Sequence, residues 1–126
     1  MKNDGSHWEA LVFVYNADAG LFSTVSDFAH KIISPETYAC SLCKLTYGNF
    51  AMKKGWKDFI AGLQCVKQFL HKDEFLKKYP EHAGQRLPAV YGLRQGGLSQ
   101  ILGAEELNGL KDLEGLKSAL RQKLDL

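Results

Sequence analysis

The chain has 126 residues, 45% hydrophobic, 11% aromatic and 24% charged, which excludes a disordered tail and suits one domain with its own core. Its formal net charge is +2, with both signs interspersed, so no broad field draws it to nucleic acid or to an anionic membrane, and neither is an expected partner. The short lysine stretches 52–55 and 75–78 sit beside apolar anchors and read as solvated helix faces.

The first apolar run, Ala10 to Tyr15, is too short for a signal-peptide core or a membrane span, which predicts a cytoplasmic protein. Within it, Leu11 to Tyr15 is continuously β-branched or apolar and predicts a strand buried on both faces. The turn-like Asn16 to Gly20 ends that strand. Leu21, Phe22, Val25, Phe28, Ala29 and Ile32 then fall on one helical stripe, with Asp18 placed to cap it and Pro35 to stop it.

Trp56, Phe59, Ile60 and Leu63 predict a further helix, with Gly62 near its end. Cys65 to Leu70 predicts a second strand, and 73–80 a short helix capped by Asp73 and followed by Pro80. Residues 81–86 read as loop. Leu87 to Tyr91 and Leu98 to Leu102 flank Gln95-Gly96-Gly97, where paired glycines predict a tight antiparallel hairpin. Leu113, Leu116, Leu120 and Leu124 form the stripe of a terminal helix opened by Asp112. A helical crossover between the first two strands implies that they are parallel. The expected fold is α/β: a mixed sheet of about four strands with helices on both faces.

The chain contains no Gly-x-x-x-x-Gly-Lys-[Ser/Thr] loop, Gly-x-Gly-x-x-Gly turn, Gly-x-Ser-x-Gly elbow or His-Glu-x-x-His sequence, so nucleotide-binding, hydrolase and zinc-protease readings lack support. The adjacent acids Asp73-Glu74 and Glu105-Glu106 suit caps or surface better than acid–base catalysis. Chemistry concentrates instead in Cys40-Ser41-Leu42-Cys43-Lys44, which contains two of the three cysteines. In a reducing compartment such a pair is redox-active or metal-binding rather than part of a disulfide framework. The third, Cys65, lies in an apolar stretch and reads as a small buried thiol.

The element order, with Leu87-Pro88 opening the hairpin and Leu102-Gly103-Ala104 closing it, resembles the thioredoxin and glutaredoxin superfamily. That resemblance implies a three-layer sandwich over residues 1–126 and a cis peptide bond before Pro88, with the proline facing the active site. Two alignments compete. If the strand at Leu11 is central, Asn16 to Gly20 occupies the family's usual cysteine position and residues 34–62 are an insertion carrying the Cys-x-x-Cys pair. If that strand is peripheral, Cys40-Ser41-Leu42-Cys43-Lys44 matches the family's Cys-Gly-Pro-Cys-Lys, 45 positions before Pro88. The second alignment needs a central strand at His30 to Thr37, where Pro35 removes a ladder donor. The chain departs from the family at Tyr38-Ala39 and Ser41-Leu42. Through Val14 to Asp18 and His30 to Cys43, it also resembles a family of small bacterial proteins of uncharacterised function.

Three readings of the pair stay open. As redox groups, Cys40 would be the attacking thiolate and Cys43 the resolving thiol, with Pro88 beside them and protein or small-molecule thiols as partners. As metal ligands, Cys40 and Cys43 would supply half of a zinc site, completed by His30, His71 or His82. As packing groups, they would leave function to a binding module whose candidate site is the Asn16 to Gly20 turn.

Overall fold

The structure, a computed structural model, describes residues 8–16, 41–46 and 52–124, apart from the side chain of Cys43. The predicted helix at 21–32, its cap Asp18 and Pro35 lie outside the described residues. In chain order the elements are β1 (Ala10–Val14), α1 (Ser41–Thr46), α2 (Lys54–Ala61), β2 (Val66–Leu70) and α3 (Lys72–Lys78). A 3-10 turn (Pro80–His82) follows, then β3 (Ala89–Arg94), β4 (Gly97–Leu102), α4 (Ala104–Asn108) and α5 (Leu113–Leu124). Among the described residues no helix is long and apolar enough to cross a membrane.

The four strands form one mixed sheet in the order β2-β1-β3-β4. β1 runs parallel to β2, with Val14 opposite Leu70, and antiparallel to β3, with Val14 opposite Ala89. β1 is therefore central, as in the first of the two alignments. The second is overturned, because a peripheral strand could not pair on both edges. The Leu87–Pro88 peptide bond is cis.

Every residue of β1 is buried, and its alternation divides the core in two. Leu11, Phe13 and Tyr15 join side chains of α1, α2, α4 and α5, including Leu42, Trp56, Leu107 and Leu116. Val12 and Val14 join Phe75 of α3 and Ala89 and Tyr91 of β3. Helices thus pack on both faces of the sheet. Phe13 anchors the larger layer: its ring meets Trp56 edge-on at 5.4 Å and stacks on Phe69 at 5.0 Å. Such pairings add about 0.5–1.5 kcal/mol each beyond area burial.

Several local features differ from the sequence reading. The hairpin's left-handed residues are Gln95 (φ 57°) and Gly96 (φ 80°), not the glycine pair, and Gly97 begins β4. Two consecutive positive φ values match the right-handed twist of the strands. Gln95 tolerates one because its N–H donates to Glu9 Oε2 at 3.0 Å. The N-cap of α3 is His71 rather than Asp73, since a carboxylate three residues on, Glu74, accepts the His71 N–H at 2.8 Å. The predicted loop after α3 contains the 3-10 turn, and α4 is too short to register as a periodic stripe. The cap at Asp112 is as expected: its Oδ1 accepts the Gly115 N–H at 2.9 Å.

The start of β1 is tied to β3 from the outside. Glu9 N–H donates to Leu93 O at 2.9 Å, the Trp8 ring lies on Gly92, and the Arg94 guanidinium stands 4.5 Å from that ring. A Cβ at position 92 would come within 2.4 Å of the Trp8 ring, so Gly92→Ala should cost about 1–3 kcal/mol of stability. Urea unfolding of Gly92→Ala, Trp8→Ala and the double variant checks this; the second change should recover part of the loss by removing the clash.

Candidate functional site

In sheets with parallel strands, ligands gather outside the carboxyl ends of the strands, where the chain turns away and backbone groups become available. Here that edge is formed by the ends of β1 and β2. Tyr15 N–H donates to Leu70 O at 2.9 Å, carrying the parallel pairing one residue beyond β1. The buried Tyr15 ring stacks on Phe69 and lies 5.6 Å from the His71 ring. On the other side, extending the β1–β3 register by one residue sets the buried Pro88 opposite Tyr15. Tyr15, His71 and Pro88 thus stand at one end of the sheet, with half-buried Asn16 leaving it.

His71 is held from two directions. Its N–H and its ring Nδ1 both lie 2.8 Å from Glu74 Oε1. An ionised carboxylate only accepts, so in this contact Nδ1 is the donor. Hydrogen bonding to the His71 backbone and then to its ring holds the Glu74 carboxyl below its ordinary value. The Glu74 side chain is 46% exposed, so this pairing is partly screened by water.

The described residues of α1 belong to the layer built on the odd residues of β1. α1 buries Leu42, Leu45 and Thr46 against that layer, and packs on α4 and α5. Thr46 Oγ1 donates to Leu42 O at 2.8 Å, which satisfies its buried hydroxyl inside the helix. α1 begins at Ser41, directly after Cys40, and contains position 43. Cys40 and His30 themselves lie outside the described residues.

The remaining predicted residues separate. His82, in the 3-10 turn, is half-buried, with ring centroids 6.1 Å from Phe75 and 5.7 Å from Tyr91 in the layer on the other face of the sheet. Cys65 is a free, half-buried thiol packed against the larger cluster. Burial pushes that thiol up, with Lys67 opposing the shift. Among the described residues no group of three or more His, Cys, Asp or Glu side chains could hold a metal ion. Comparison with family models, with curated proteins and with solved structures finds no match.

Tyr15 and Glu74 were missed as neighbours of a site. The sequence signal for Glu74 was its adjacency to Asp73, which reads as a cap; nothing local pairs Tyr15 with a histidine 56 positions later. A depressed carboxyl stabilises the fold above the unfolded-state value near pH 4.3 and loses that contribution as pH falls through the folded value. Glu74→Gln should therefore lower stability at pH 7 by at most about 1 kcal/mol. The difference should vanish toward pH ~3, as read from thermal or urea unfolding of both proteins at the two pH values.

Proposed function

We propose that this chain is a thioredoxin-like three-layer sandwich that carries out thiol–disulfide exchange through Cys40 and Cys43. The observation that supports the fold reading is the mixed four-stranded sheet β2-β1-β3-β4 with helices on both faces and Pro88 directly before β3. The chemistry rests on the motif itself. In sequence Cys40 stands one position before the described residues of α1, and a Cys-x-x-Cys pair at a helix start would have its first thiolate favoured by unpaired amides. Lys44 adds a positive charge within the same turn.

In the exchange step, the Cys40 thiolate attacks one sulfur of a substrate disulfide and expels the other as a thiolate, leaving a mixed disulfide. Cys43, after giving up its proton, attacks the Cys40 sulfur and releases the second substrate thiol. The substrate gains two electrons, and the protein retains a Cys40–Cys43 disulfide. A protein or small-molecule dithiol reverses the sequence. Because β1 is central, this chemistry arises from the 34–62 segment instead of the turn after β1, and Pro88 enters it only as a neighbour of that turn.

A second reading is favoured by the same centrality of β1. Asn16, the first residue of the Asn16 to Gly20 stretch, follows the strand end beside Tyr15, His71 and Pro88, so a non-catalytic binding module would use that edge. The cysteine loop would then be zinc-fastened or simply packed.

Alkylation of the reduced protein as a function of pH, read residue by residue by mass spectrometry, separates the readings. Cys40 should react well below the ordinary thiol range near pH 8.5, while Cys65 should react above it. A Cys40 that tracks Cys65 removes the exchange proposal. Zinc bound at one equivalent after chelator-free purification, with Cys40 and Cys43 both protected, transfers the pair to the second reading.

A further inference from the structure

A cavity of about 360 Å³ lies between α1 and the α4–α5 connection, lined by Ser41, Lys44, Lys53, Asn108, Lys111 and Asp112 among others. We propose that this cavity is a binding site for a small phosphorylated anion. Three lysines from three separate segments, Lys44, Lys53 and Lys111, line one concavity, in a chain whose whole formal charge is only +2. Among the described residues, neither Lys53 nor Lys111 takes part in an ion pair. The one carboxylate on the lining, Asp112, has Oδ1 turned to the backbone of α5, where it accepts the Gly115 N–H at 2.9 Å.

A second, independent feature is Ser41 Oγ, which is buried and makes no hydrogen bond among the described residues. A buried hydroxyl without a partner is unfavourable, and Ser41 is one of the residues on the lining. The Asn108 amide offers a further donor. Lysine ammonium groups act toward phosphate as mobile point charges, suited to a multiply charged, compact anion rather than to one fixed planar geometry. The volume exceeds that of one phosphoryl group and leaves room for a short organic portion or a second phosphate. The site shares Ser41 and Lys44 with the cysteine motif, but the binding proposed for it does not require thiol exchange.

The test is calorimetric titration of the full reduced chain with inorganic pyrophosphate at low ionic strength. Saturable one-to-one binding is expected, weakened about tenfold by Lys111→Gln and again by Lys53→Gln, and weakened by added salt. Lys111 is exposed, so its variant should keep the wild-type melting temperature and decides the matter if Lys53→Gln is less stable. Lys77→Gln on α3 and the Cys40→Ser/Cys43→Ser double variant should bind as wild type. Absence of binding at millimolar pyrophosphate overturns the proposal. So does binding unchanged in both lysine variants, binding lost in the cysteine double variant, or binding of citrate but not of pyrophosphate.

Discussion

The structure depends on the burial of β1. Its five residues are covered on both faces and hydrogen-bonded on both edges, so each side chain leaves water whichever way it points. Fully burying an aliphatic or aromatic side chain of this size is worth about 1.5–3 kcal/mol, and a strand with two apolar faces can realise that only between two helical layers. The parallel crossover to β2, the antiparallel return through β3 and the packing of α5 over Leu11 and Phe13 all follow from this requirement.

The same constraint locates the chemistry. A central strand brings its neighbours' ends to a common edge, so His71 at the end of β2 and Pro88 before β3 flank Tyr15 although they are far apart in sequence. α1 is instead drawn to one helical layer, because Leu42 and Leu45 bury there. The strand ends and α1 therefore occupy separate places in the fold. They are linked physically through Tyr15, which belongs to the same apolar cluster as Leu42 and Leu45.

Charge contributes little to holding the fold. The ion pairs Lys54–Asp58 and Arg86–Glu105 are largely exposed, and pairs of that kind contribute between nothing and about 1 kcal/mol. Carboxylates do more as caps: Glu74, Glu106 and Asp112 each accept a backbone N–H at a helix start, where unpaired donors and the helix dipole both favour an anion. Around the α1 cavity three lysines share the lining with one carboxylate, Asp112.

What the sequence alone determined is what short-range patterns encode. The unbroken apolar run of β1, the stripes of α2 and α5, the Asp112 cap and the position of the hairpin are set by residues within a few places of one another, so periodicity and capping chemistry reveal them. Tertiary structure decided the rest. That β1 is central depends on which strands pair with it, and that pairing joins Val14 to Leu70 and to Ala89. The hairpin's left-handed glutamine depends on a carboxylate 86 positions away, and the lysine cavity on three segments that only packing brings together. Local sequence records the cost of each residue's own conformation, whereas these features arise from contacts whose partners become neighbours only after the core has closed.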